Sequence, residues 1–351
     1  MNDIIENKVK KRNKFKIPVF CYSILILGFT LLANFALDQT FLNITFDNNI
    51  FGGKIINILI LAMPFALMAI GETFVVASGE LDLSIGLTVF LCLEIIRGIN
   101  LFEKTFEFEM FILLALLIGL IVGIINGILV TKLKIKSFIA TLITMIVIRA
   151  GIHLIYDGRY MNDAMLTYDN LEESVFGFFF GVPAAICIVL ILFIIILLLT
   201  RLTSFGMLLK AVGYNAKASK LSGVKVDGIK ITAYIISSIC AAVAGILLAK
   251  MNIGFYGYAE QSIVNMLDIF LAIILGSGLL KGGKFSITGS LIGMLIIYFS
   301  QNILLEFYIP VEFFFVIKAV ILFTIFILSN IKFKKAKVKI KEKIEEGVVE
   351  V

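Results

Sequence analysis

The chain has 351 residues, of which 60% are hydrophobic and only 16% charged. Soluble domains carry roughly a quarter charged residues and under half apolar ones, so this excess excludes a soluble globular protein and must be spent on surface that faces lipid. The net charge of +6 does not point to nucleic acid, because the basic residues sit in short clusters beside apolar stretches, the arrangement that orients membrane proteins.

From the N-terminus, a basic segment from Lys8 to Lys16 precedes an apolar window at 17–37. The window is too long for a signal-peptide core and no small-residue cleavage site follows, so it reads as a retained first helix. Further windows follow at 55–77, 83–98, 110–130, 137–156, 177–199, 229–250, 266–280, 287–305 and 311–329. About 20 apolar residues cross a bilayer; the windows at 83–98 and 266–280 are shorter and broken by glycine. Most of the 31 basic residues fall on one side of this alternation: Lys8 to Lys16, Lys132, Lys134 and Lys136, Arg201 to Lys230, Lys281 and Lys284, and Lys332 to Lys343. The opposite loops are acidic, with Glu103, Glu107 and Glu109 in one and Asp157, Asp163, Asp169, Glu172 and Glu173 in another. An odd error in the helix count would scramble this pattern. The expected fold class is therefore all-α, a polytopic bundle of about ten transmembrane helices with both termini cytoplasmic. Its parts are a basic cytoplasmic segment 1–16, a transmembrane domain 17–329 and a charged cytoplasmic tail 330–351.

Enzymatic chemistry finds little support. Gly278-Leu-Leu-Lys-Gly-Gly283-Lys284-Phe285 nearly spells a phosphate-binding loop, but Phe285 stands where the magnesium-binding hydroxyl is needed. It also lies between two apolar windows rather than between a strand and a helix, so it reads as a Gly-rich cytoplasmic turn. His153 is the only histidine, and no cysteine pair has ligand spacing. Cys21, Cys92, Cys187 and Cys240 all lie in apolar windows and read as small hydrophobes. No cofactor and no metal are expected.

The loop 201–228 is the most informative segment. Asn215 is a good N-cap and Gly223 a good C-terminal stop, which frames a helix of about two turns. Ala218, Leu221 and Ser222 share one face, with Lys217 and Lys220 on the other side. So short a helix is marginal in water. Either it docks on its own membrane domain, on lipid or on another protein, or the loop is a solvated basic segment that only obeys the orientation rule.

The loop, with Gly213, Asn215, Ala218, Ser222, Gly223 and Val224, resembles the coupling loop of the branched permease family of ABC importers, which includes ribose, xylose and galactose permeases. Three further blocks match in order: Ser78-Gly79-Glu80-Leu81-Asp82-Leu83-Ser84-Ile85-Gly86, Lys136-Ser137-Phe138-Ile139-Ala140-Thr141-Leu142, and Leu267-Asp268-Ile269-Phe270-Leu271-Ala272 through Gly276-Ser277 to Gly282-Gly283. Glu80, Phe270 and Ser277 depart from the family's blocks, and these departures bear on the substrate subgroup. The resemblance implies a transporter subunit of the bacterial inner membrane that carries a monosaccharide inward and is no enzyme itself. It also implies a separate ATP-binding-cassette ATPase that contacts the loop, a second permease subunit and an extracytoplasmic solute-binding protein.

Ionisable groups inside a bilayer are costly and normally face partners or water. Glu72, Asp82, Arg149, Asp268 and Lys318 are such groups, joined by Glu94 if the third window is placed correctly. Short, glycine-broken windows in both halves suggest broken helices and an inverted repeat. The candidate translocation residues are Glu72, Asp82, Ser84, Asn126, Thr141, Asp268 and Asn302. The charged ones either line a route or pair within the bundle; Asn126, Thr141, Gln301 and Asn302 either bond a polyol or glue helices together. The rival classes are an ion-coupled secondary transporter, which has no use for a coupling loop, and a membrane scaffold, in which the buried charges would serve nothing. Within the leading class, a nucleoside or autoinducer-like furanose is the alternative solute.

Overall fold

In lipid every backbone N–H and C=O must be satisfied within the protein, which leaves helices as the default for apolar stretches. The computed structural model describes residues 19–47, 50–97, 108–156, 178–179, 182–250, 258–277, 280, 282–310, 313–320 and 323. Its helices are α1 (Val19–Leu37), α2 (Lys54–Ala77), α3 (Ile85–Arg97), α4 (Phe108–Thr131), α5 (Ser137–Tyr156), α6 (Ala184–Leu202), α7 (Phe205–Tyr214), α8 (Ala216–Leu221), α9 (Val226–Lys250), α10 (Tyr258–Ser277) and α11 (Ile287–Glu306). Residues 313–320 are also helical. Among the described residues, five helices are long and apolar enough to cross a membrane: Lys54–Ala77, Glu109–Thr131, Ala184–Leu202, Val226–Ala249 and Ile287–Glu306. The protein is a polytopic helical membrane protein.

The bundle is built around α2 and α9. The α2 helix is buried from Ala62 to Ala77, and α9 lies against α2, α3 and α4. Gly119 and Gly123, four residues apart, let the α4 backbone meet α9 directly. A Cβ at Gly119 would lie 2.8 Å from the Ser238 carbonyl oxygen, and one at Gly123 would lie 2.8 Å from the Ile235 Cα. By contrast, α6 shows Leu190, Ile191, Ile194, Ile195 and Leu198 outward, the apolar surface that faces acyl chains in a membrane protein. On the far side, α11 packs on α1, α2 and α10.

Two antiparallel ribbons modify the all-α expectation. β1 (Thr45–Asp47) pairs with β2 (Ile50–Gly52), and β3 (Phe178–Phe179) with β4 (Val182–Pro183). The first leads into the start of α2. There Lys54 pairs with Asp38 at 2.6 Å and Glu306 at 3.0 Å. Hydrogen bonds from Lys54 and Thr40 push the Asp38 carboxyl down to about 2.

Several boundaries differ from the apolar windows. α10 begins before residue 266, and α6 runs on to Leu202, taking in Arg201. The loop 201–228 holds two helices rather than one. α7 turns Gly206, Leu209 and Val212 inward, but at ten residues it is far shorter than a membrane span, so a search for spans passes over it. The acidic loop 157–176, the segment 1–16, the tail 330–351 and the His153 side chain lie outside what is described.

Candidate functional site

Between α2 and α3 the chain stops being helical for seven residues, Ser78 to Ser84. Gly79, at φ +88°, makes the turn out of α2. A break inside a bundle needs a partner for each amide, and the structure supplies them. The N–H groups of Gly79 and Glu80 bond the carbonyls of Val76 (3.0 Å) and Val75 (3.2 Å). The next four go to side chains. The Leu81 amide donates to Ser137 Oγ (3.4 Å), Asp82 to Glu72 Oε1 (3.0 Å), Leu83 to Thr141 Oγ1 (3.1 Å) and Ser84 to Asp82 Oδ1 (2.8 Å).

A second layer holds those acceptors. Ser84 Oγ donates to Asp82 Oδ1 at 2.6 Å and receives Asn126 Nδ2 at 2.7 Å. Ser237 Oγ donates to Glu72 Oε2 at 3.3 Å, Tyr234 OH reaches the Leu81 carbonyl at 3.5 Å, and Lys230 forms an ion pair with Glu80. Four helices, α2, α4, α5 and α9, thus staple one irregular segment. Glu72, Asp82, Ser84, Asn126 and Thr141 are fully buried. Asp82 Oδ2 and Asn126 Oδ1 accept no hydrogen bond among the described residues.

Five of the candidates named from sequence therefore share one network. The other two lie elsewhere. Asp268 pairs with Lys318 (Oδ2 to Nζ, 2.6 Å), tying α10 to the helix at 313–320. Asn302 Nδ2 donates to Asn34 Oδ1 at 2.8 Å, and Asn34 Nδ2 to the Phe299 carbonyl at 3.0 Å, which joins α1 to α11. In both places the polar side chain meets a partner on another helix, the second of the two alternatives left open by the sequence. Arg149 sits on the exposed side of α5. Sequence reasoning missed Ser137, Tyr234, Ser237 and the Lys230–Glu80 pair as parts of the network. Their signal was polar residues in or beside apolar windows, without an indication of which way they point.

On the side where α2 ends, Asn215 caps α8 by accepting the Ala218 amide at 3.0 Å. Gly223 closes it at φ +85°, where the Val224 amide reaches the Ser219 carbonyl at 3.0 Å. Ala218, Leu221 and Ser222 point outward, with Leu221 91% exposed. Ser219 is buried instead, so the small residues of α8 do not all face out. Gly213 lies apart from this cap, at the end of α7, against Ala77 and Gly283. Of the near-match to a phosphate loop, the described part from Gly282 to Phe285 is packed against α7 and α2. The Phe285 ring lies 6.0 Å from that of Phe74, with the Lys210 ammonium 5.2 Å above it.

The polar-stapled segment between α2 and α3 and the capped helix α8 thus sit in one polytopic helical membrane bundle. The branched-chain amino acid transport system / permease component family matches residues 54–327, and the chain belongs to that family, that of the sugar permeases of ABC importers. The galactofuranose transporter permease protein YtfT of Escherichia coli is 33% identical over 327 residues, covering 92% of this chain and 93% of its own. The ribose import permease protein RbsC of Bacillus subtilis is 36% identical over 70% of this chain and 74% of its own. The fructose import permease protein FruF of Bifidobacterium longum is 30% identical over 74% and 73% respectively. No solved structure matches the chain.

Proposed function

We propose that this permease carries a monosaccharide, a pentose or hexose such as ribose, inward across the bacterial inner membrane. Energy comes from a separate ATP-binding-cassette ATPase, and an extracytoplasmic solute-binding protein delivers the solute. A second permease subunit, identical or related, completes the membrane unit. In this reading the chain spans the membrane ten times as an inverted repeat, and the segments 1–16 and 330–351 are both cytoplasmic. The acidic loop 157–176 lies outside; cysteine labelling from outside marks it and spares the tail.

The observation that carries the reading is the exposed face of α8. A six-residue helix gains little from its own hydrogen bonds, yet this one is capped at both ends and leaves Ala218, Leu221 and Ser222 exposed among the described residues. This exposure supports the reading of α8 as the docking surface for the ATPase. The test is Ala218→Arg. A bulky charge left unpaired in a packed contact costs several kcal/mol, so the variant inserts normally but neither co-purifies with the ATPase nor supports uptake in vesicles. Full uptake by Ala218→Arg, or uptake driven by an ion gradient without ATP, refutes the assignment.

A furanose is the second reading of the substrate. It is favoured by the relative with 92% coverage, a galactofuranose transporter permease by name. Competition of labelled ribose uptake by galactofuranose and by a nucleoside separates the two.

A further inference from the structure

Three stretches of chain meet backbone to backbone beneath the broken segment. A Cβ at Gly213, in the last turn of α7, would lie 1.9 Å from the Ala77 carbonyl oxygen and 2.2 Å from the Gly283 nitrogen. Those two atoms are bonded to one another at 2.8 Å. A Cβ at Gly282 would lie 2.5 Å from the Gly213 carbonyl oxygen and 2.8 Å from the Gly79 Cα, and one at Gly283 would lie 2.5 Å from Cγ of the Tyr214 ring. Gly79 and Gly283 both take positive φ, +88° and +85°.

Apart from the Tyr214 ring on Gly283, the contacts among these described glycines are backbone to backbone, and closely packed atoms transmit strain. α7 is further fixed by Phe205, whose ring stacks on Phe74 at 6.0 Å. Beyond the contact, the chain on one side is the segment 78–84, which is held by side-chain hydrogen bonds rather than a helical ladder. On the other side is the turn that enters α11 at its cap Ser286, whose Oγ accepts the Gly289 amide at 3.0 Å. The rigid parts are outside the break and the exchangeable bonds are within it.

We propose that Gly79, Gly213 and Gly282–Gly283, with Tyr214 seated on Gly283, form a joint that passes displacement of α7 and α8 to the segment 78–84 and to the entry of α11. These residues are positioning residues for transport, and the stapled break is the element they move. The inference rests on the ABC-permease reading above and names where the input from the ATPase enters the membrane domain.

The experiment reconstitutes the chain with its ATPase and solute-binding protein. It compares Gly213→Ala and Tyr214→Ala with wild type and with Gly28→Ala, where an added Cβ meets nothing within 4 Å. The joint predicts that the first two variants still co-purify with the ATPase, while solute-stimulated hydrolysis per assembled complex and uptake fall about tenfold. Gly28→Ala should match wild type. A purely structural role would lower the yield of complex without changing stimulation per complex. If Gly213→Ala does not assemble, Tyr214→Ala decides, because it removes atoms from a side chain that is more than half exposed. Wild-type stimulation and uptake in Tyr214→Ala overturn the joint, as does an equal loss in Gly28→Ala. Transport by the wild-type chain with no ATPase refutes the ABC reading itself, and that result is visible before any variant is compared.

Discussion

The Asp268–Lys318 pair gives the most quantitative prediction. The two side chains are only 10% and 8% exposed and meet at 2.6 Å. Removing one partner of a buried pair strands a charge and costs about 3–5 kcal/mol, whereas replacing both with neutral groups of similar size is close to neutral. The two halves are not equivalent. With Asp268→Asn, the Lys318 ammonium keeps the Phe314 ring at 4.0 Å and Phe315 at 5.7 Å, a cation–π contact worth about 1–2 kcal/mol when desolvated. With Lys318→Met, the Asp268 carboxylate keeps no such contact, and its Oδ1 already lacks a hydrogen bond among the described residues. Lys318→Met is therefore expected to be the worse variant by about 1–2 kcal/mol, and Asp268→Asn/Lys318→Met should recover most of the loss. The assay is a double-mutant cycle on reversible unfolding in micelles, with uptake measured in parallel. Additive losses would refute the pairing argument. So would an Asp268→Asn protein of full stability that no longer transports, since that pattern belongs to a residue touching the solute.

Thr141→Val removes the acceptor of the Leu83 amide and should destabilise by about 1–3 kcal/mol, while Thr141→Ser should not; equal unfolding curves for the two would remove Thr141 from the staple. The Asp38 carboxyl, held at about 2 against an ordinary value near 3.9, is depressed in the folded state. Its contribution is therefore complete above about pH 4 and is lost as pH falls through about 2. The gap in thermal stability between wild type and Asp38→Asn at low salt should narrow over that window, and a gap that widens on acidification would contradict the sign. Because Phe285 is packed against Phe74 under Lys210, the purified chain should bind no ATP. Nucleotide binding by the chain alone, lost in Lys284→Ala, would reverse that conclusion.

Much of the architecture follows from sequence because a bilayer leaves few choices. Length and apolarity alone place α2 at Lys54–Ala77 and α11 at Ile287–Glu306, each close to its window, since hydrocarbon admits no unsatisfied backbone. Local chemistry is equally legible. Asn215 and Gly223 bound α8 because capping depends on a few neighbouring dihedrals and one side-chain oxygen. The network also announced itself in part, because Glu72, Asp82 and Asn126 are too costly in an apolar window to lack a role.

What sequence could not supply was the pairing. Asp82 and Asp268 look alike in their windows, yet one caps a break in a helix and the other neutralises Lys318 fifty residues away. Asn126 and Asn302 are equally polar, but the first faces Ser84 and the second Asn34. The helical period says which residues share a face, and only the packing of α4 on α9, or of α11 on α1, decides what that face meets. The contact of Gly79, Gly213 and Gly282–Gly283 is the extreme case. Glycines at three places far apart in sequence carry no side-chain chemistry to announce one another, and the approach of three backbones exists only once α2, α7 and α11 are assembled.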